Sequence, residues 1–206
     1  SSLKIKEVPS GQKVFDWTIP PEWNINNAYV IDKYNNKIID FKNNNLHIVN
    51  YSYPINKILT KKELLKHVHS LPNKKNAIPY VTSYYKKDWG FCTTHKQKIE
   101  IDKNYKNQDK FKVVINSNFK KKGHLTYGEL LLKGKSSQEI LISTYICHPS
   151  MANNELSGSI VSMGLINNFK KLKNLKKSIR FIFIPETIGS IAYISKNWHN
   201  LKQNLI

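Results

Sequence analysis

Hydrophobic and polar positions follow two regimes along this chain, and the change falls between residues 119 and 125. Before it, apolar runs are short and alternate with polar residues. Residues 13–19 alternate with β-branched and aromatic side chains, and Pro20-Pro21 stops them. That pattern predicts an extended lead-in strand within residues 3–20. Residues 28–31, 37–41 and 46–51 read as short strands separated by turns at 33–36 and 43–45. Thr60 with Glu63 three positions on has capping-box spacing and predicts a helix over 61–71, ended by Pro72. Residues 80–82, 89–92 and 112–115 then complete a set of short strands punctuated by turn residues, the mark of a small all-β unit.

After the change, the elements lengthen. Residues 125–132 and 139–145 are strand-like, 158–172 helical, 178–184 a continuous apolar run, and 189–198 helical again. A continuous apolar run bounded by turns is expected of a strand buried on both faces. Strand, helix, strand, helix implies a βαβ unit with a right-handed crossover. The fold class is therefore α/β with an inserted β-rich subdomain. The expected organisation is a lead-in strand of the α/β core over 1–25, the β-rich insertion over 26–118, and the α/β core over 119–206.

Length, charge and cysteine count narrow the setting. The chain has 206 residues and 40% apolar content, enough for one sizeable core with a small subdomain. It contains no apolar run long enough to span a membrane. Cys92 and Cys147 are its only cysteines, so a disulfide scaffold is excluded and a reducing, cytoplasmic setting is expected. The net charge of +19 raises the question of nucleic acid. Arg180 is the only arginine, however, and base and phosphate recognition favours arginine's planar fork. Lysine here accompanies abundant asparagine, so the charge reads as a solvated surface, with no nucleic-acid and no membrane partner. Homo-oligomerisation stays open.

Three strand ends carry candidate chemistry. His148 follows the strand at 140–145. Asn154 and Glu155 lead into the next helix, and Glu186 follows the strand at 178–184. In open α/β sheets ligands bind outside the carboxyl ends of strands. A histidine and carboxylates gathered there could bind zinc. Each has a plainer reading. A lone histidine after a strand is more often a capped or surface residue, and Glu155 and Glu186 could simply favour a helix dipole. His67 and His69 are two apart on a short helix and read as surface. His95 reads as a strand-surface residue. Cys147 adjoins His148, but neighbours along a strand point to opposite faces, and no partner for a nucleophilic thiol is evident.

The ordered pattern His148…Asn153-Asn154-Glu155-Leu156-Ser157-Gly158…Pro185-Glu186-Thr187-Ile188-Gly189-Ser190 resembles the zinc aminopeptidases of the bacterial leucyl-aminopeptidase type. Within them it looks most like bacterial aminopeptidase-like proteins encoded among surface-polysaccharide genes, in which a small β-rich domain is inserted. Val14-Phe15-Asp16-Trp17, Pro21-Glu22-Trp23, Trp89-Gly90-Phe91-Cys92-Thr93-Thr94-His95 and Leu125-Thr126-Tyr127-Gly128-Glu129 match its other signatures. The resemblance covers nearly the whole chain. It implies part of a zinc-exopeptidase-like α/β sandwich core, a zinc cofactor and a peptide or amide substrate. His148 matches the first zinc-ligand histidine. Asn154 takes the place of the bridging aspartate, with Glu155 beside it. Glu186 answers to a pair of glutamates, one a general base and the other a ligand, so it stands for either role. A single-zinc site is implied rather than a bridged pair. The family's further ligands lie downstream of this strand–helix pair. A metal-poor, catalytically incomplete chain is therefore expected, as is a competing role as a weakened binding or scaffolding protein in glycan assembly.

Overall fold

The computed structural model describes residues 2–206, and its elements follow in chain order. They are β1 (Lys4–Pro9), β2 (Lys13–Val14), β3 (Trp17–Thr18), β4 (Glu22–Ile31), β5 (Lys37–Asp40), β6 (Ile55–Thr60), α1 (Lys61–Leu64), β7 (Val68–His69), β8 (Phe91–Cys92) and α2 (His95–Asn104). Then come β9 (Lys110–Lys120), β10 (His124–Leu132), β11 (Glu139–Tyr145), α3 (Ala152–Lys170), β12 (Ser178–Ile184) and α4 (Ile188–Asn204). The chain divides into two units: Ser1–Glu22 with Lys121–Ile206, and Trp23–Lys120.

The first unit is built on a four-stranded sheet in the order β1-β10-β12-β11. β1 and β12 run antiparallel to β10, and β11 runs parallel to β12. The apolar run of β12 divides by the period-two rule of a strand. Ile179 and Phe181 belong to a cluster with Leu130, Leu132 and Ile166 of α3. Ile182 and Ile184 belong to another with Leu125, Tyr127 and the α4 residues Ala192, Tyr193 and Leu201. The two helices therefore cover opposite faces of the sheet, which explains why β12 shows no polar alternation.

The second unit holds a sheet ordered β5-β4-β9-β6 and a small β7-β8 pair. Its own core gathers Ala28, Val30, Ile39, Leu64, Phe91, Ile101, Phe111, Val113 and Ile115.

Several local expectations change. The strand read over 13–19 is instead the β2-β3 hairpin, because Phe15 turns with φ 54°. The strand that enters the sheet is β1. The helix expected over 61–71 stops at Leu64 and a 3-10 turn, after which β7 pairs with β8. Its Thr60–Glu63 capping box does form. Residues 95–104 are helical, begun by a second capping box of Thr94 and Gln97. Thr94 three residues before Gln97 carried that signal in the sequence. Among the described residues no helix is long and apolar enough to cross a membrane.

Candidate metal centre

β11 and β12 end level, with Tyr145 opposite Ile184, so the loops 146–151 and 185–187 leave the same end of the sheet side by side. The Ile146 N–H donates to the Ile184 carbonyl and joins the two loop bases. Gly158 lets α3 lie close against this end. A Cβ there would fall 2.2 Å from the Thr144 hydroxyl oxygen. The second loop is equally tight, since a Cβ at Gly189 would fall 2.8 Å from Ile184 and 2.9 Å from Pro185. Both loops hold a non-glycine residue at positive φ, Ser150 at 63° and Thr187 at 57°, and Ala152 at the start of α3 has φ 23°. For a β-branched threonine this conformation is costly and must be held by its surroundings.

The loops and the first turn of α3 bring four side chains together. His148 Nδ1 lies 2.5 Å from Glu155 Oε1, and its Nε2 lies 3.3 Å from Glu186 Oε2. Glu155 Oε2 accepts the Cys147 N–H at 2.6 Å. Cys147 Sγ sits 3.4 Å from His148 Nδ1 and 3.8 Å from Nε2, and accepts the Glu186 N–H at 3.2 Å. Tyr145 meets the His148 ring edge-on. Glu155 is buried, whereas the Glu186 side chain is 55% exposed. Burial alone would raise the Glu155 carboxyl. The N–H groups of Cys147 and His148, then the His148 ring, outweigh it and hold the group below the usual glutamate value. Burial pushes the Cys147 thiol up. The Glu186 N–H pulls it back, and the nearby carboxylates push it further.

The expected site residues thus sort by geometry. His148, Glu155 and Glu186 meet. Asn154 is exposed on the first turn of α3, and none of the hydrogen bonds just described involves it. Cys147 is drawn into the group, contrary to the alternation argument. β11 ends at Tyr145, so period two no longer governs residue 147. Pro149 carried that signal, since proline and the residue before it resist continued pairing. In the second unit, His67 is not a free surface residue: it stacks on Trp89 at 3.8 Å. His95 is not on a strand. It opens α2 with Nδ1 3.0 Å from Ser70 Oγ.

A profile of the DUF4910 family, described as a domain of unknown function, matches residues 1–205. The chain belongs to the DUF4910 family. A Clostridium acetobutylicum relative of this DUF4910 chain is 48% identical over 200 residues, which are 97% of this chain and 44% of the relative. It is described as a candidate polysaccharide biosynthesis protein with an aminopeptidase-like domain. A crystal structure from the same organism, described as a candidate peptidase, superposes with TM-score 0.90 at 47% identity. It is matched over 98% of this chain and 46% of its own. The chain thus spans less than half the length of these relatives. The fold is also that of a zinc aminopeptidase from Bacillus subtilis, at TM-score 0.64, 12% identity and 99% and 57% coverage. It is likewise similar to a peptidase M28 precursor from Shewanella amazonensis, at TM-score 0.62, 8% identity and 98% and 60% coverage.

The donors present fit a divalent metal ion. Cys147, His148 and Glu155 offer ligand atoms within 4.8 Å of one another, with the Glu186 carboxylate on the Nε2 side of the histidine. Imidazole, carboxylate and thiol are the ligand types zinc takes.

Proposed function

We propose that these two strand-end loops hold a zinc ion and that the chain takes part in aminopeptidase-like hydrolysis of a peptide or amide bond. The observation that carries this reading is the clamped histidine: Glu155 engages Nδ1 while Nε2 is turned toward Glu186. That is how metal-binding histidines are held, with the second ring nitrogen given to a carboxylate. The fold shared with zinc aminopeptidases and the aminopeptidase-like description of the Clostridium relative support it.

When bound, zinc supplies a water with a pKa of about 7 and polarises the scissile carbonyl. The residues do the rest. His148 would hold the ion through Nε2, and Glu155 fixes the ring through Nδ1. We assign Glu155 this positioning role because both its oxygens are engaged by residues 147 and 148. Glu186, on the Nε2 side of His148, would take the proton of the attacking water and pass it to the leaving amine. Asn154, neutral and exposed, is given no part at the metal.

A second reading follows from Asn154, which puts a neutral group where the resemblance places a carboxylate. It is a weakened relative that binds rather than cleaves, in surface-polysaccharide assembly. No nucleic-acid partner is assigned, because the one arginine is committed to Glu129 and Glu139. Two cysteines outside any disulfide suit a cytoplasmic setting.

The test is zinc content together with release of aminoacyl p-nitroanilides, measured on the protein at the length of its relatives. Zinc-dependent release is expected, abolished by His148→Ala and reduced about 10²–10⁴-fold by Glu186→Gln, the usual loss for a general base. Bound zinc without release of any anilide would favour the binding reading. Absence of zinc binding would overturn both.

A further inference from the structure

We propose that the end of the α/β unit opposite the metal centre docks on an anionic lipid surface, through a cluster of seven lysines around Leu172.

The sequence reads its lysines as a solvated surface, but the fold gathers these seven. β11 and β12 begin level, with Glu139 opposite Ser178, so the loops 133–138 and 171–177 enter the sheet side by side. The Lys135 N–H donates to the Leu175 carbonyl at 2.9 Å, and the Ser136 N–H to the Lys176 carbonyl at 3.0 Å. Gly134 permits this closeness, since a Cβ there would fall 2.3 Å from the Lys177 carbonyl carbon. Lys133 and Lys135 are exposed on the first loop. Lys170 and Lys171 at the end of α3, and Lys173, Lys176 and Lys177 beyond it, are exposed as well.

The stretches 133–138 and 170–177 hold no aspartate or glutamate. Glu139, the acid that follows the first, is taken by Arg180. Elsewhere lysines find carboxylates: Lys6 pairs with Glu129, Lys33 with Asp109, Lys37 with Asp40 and Lys61 with Asp102. Among the described residues none of the seven makes such a pair. The helix dipole accounts for Lys170 and Lys171 in the last turn of α3, but not for the other five.

The occupant follows from what accompanies the charge. Leu172 is 56% exposed between Lys171 and Lys173, while Leu175 anchors the same loop in the apolar cluster of Ile166 and Phe181. Lysines around an exposed apolar side chain suit a lipid interface, where ammonium groups meet anionic headgroups and the leucine enters the acyl boundary. Nucleic acid fits less well. The two stretches carry no arginine for a phosphate fork and no aromatic ring on which a base could stack. β11 and β12 are each seven residues long and run from this end to the metal-centre loops. Docking therefore leaves those loops about 20 Å away, on the aqueous side.

The test is sedimentation with phosphatidylcholine vesicles, with and without phosphatidylserine, using the protein at the length of its relatives. Binding is expected only with phosphatidylserine present, and should fall as salt is raised. Lys176→Gln with Lys177→Gln, or Lys170→Gln with Lys171→Gln, should weaken it about 25-fold, at about fivefold per lysine. Lys57→Gln with Lys112→Gln removes the same charge from exposed positions on β6 and β9 and should change it far less. Leu172→Ser should weaken binding even at salt that screens the lysines. Equal weakening by the two kinds of lysine pair would make binding a matter of net charge and overturn the patch. No binding to phosphatidylserine vesicles, or tighter binding to duplex DNA or polygalacturonate than to the vesicles, would overturn the lipid surface.

Discussion

The lone arginine shows how much a single residue's surroundings decide. Arg180 on β12 donates through Nε and Nη2 to both oxygens of Glu139 at 2.7 Å, and through Nη1 reaches Glu129 at 3.1 Å. A planar fork can satisfy two buried carboxylates at once, which a lysine ammonium cannot. The sequence told of this residue only by contrast, as one arginine among lysines. Its partners lie 41 and 51 residues earlier in the chain, and only strand pairing brings them near. Cys147 was hidden for a related reason, since its meaning depends on where β11 stops. Glu129 gives a pH test. Burial would raise its carboxyl, but Lys6, the Tyr193 hydroxyl and Arg180 outweigh that and hold it below the ordinary glutamate value of 4.5. A depressed carboxylate contributes stability that is fully present above 4.5 and lost as pH falls through the folded value. Urea unfolding should therefore show wild-type stability declining as pH drops below about 4.5, with a shallower decline in Glu129→Gln over the same window. Equal slopes would mean that Glu129 titrates normally.

At the scale of elements, legibility followed the strength of local periodicity. The strand over 178–184 was readable because burial on both faces leaves an unbroken apolar run. The start of α3 was not, because its N-cap is Met151, whose side chain makes no cap hydrogen bond, while the asparagines fall inside the first turn. The hairpin β2-β3 was misread because alternation continues across a turn whose positive φ falls on Phe15, a residue with no turn signature. The position of α3 relative to β11 hangs on Gly158. An alanine in a helix interior normally gains about 1 kcal/mol over glycine. Here its Cβ would lie 2.2 Å from Thr144 Oγ1, and overpacking of that kind costs about 1–3 kcal/mol. Clash wins, so Gly158→Ala should be destabilising by chemical denaturation. It should also weaken metal binding, since Glu155 is carried one turn earlier on the same helix. Adding Thr144→Ala removes the offending oxygen and should recover most of the loss, a non-additive result that a double-mutant cycle reads directly. An additive cycle would place the strain elsewhere.

For the whole molecule, the sequence showed a change of regime near residue 119, and the chain passes between the structure's two units at Glu22/Trp23 and Lys120/Lys121. Each unit has its own apolar cluster: Phe91, Phe111 and Val113 anchor one, and Phe181, Ile184 and Tyr193 the other. A segment with a separate core, leaving and rejoining its host at neighbouring points, is the arrangement that tolerates excision. The neighbouring points are present here. The His124 N–H donates to the Glu22 carboxylate at 3.4 Å, so the chain departs from the first unit beside the place where it returns. The sheet order β1-β10-β12-β11 includes no strand from 23–120, and every donor of the proposed metal centre lies in 146–187. Replacing residues 23–120 with a short glycine–serine linker should therefore leave a cooperatively folding protein with dispersed amide resonances. That protein should keep the zinc binding of the intact chain. The excised segment, expressed alone, should fold as well. Loss of amide dispersion in the shortened protein would show that the α/β unit depends on the β-rich unit for its fold. Retained dispersion with loss of zinc binding would show that the centre, rather than the fold, needs it.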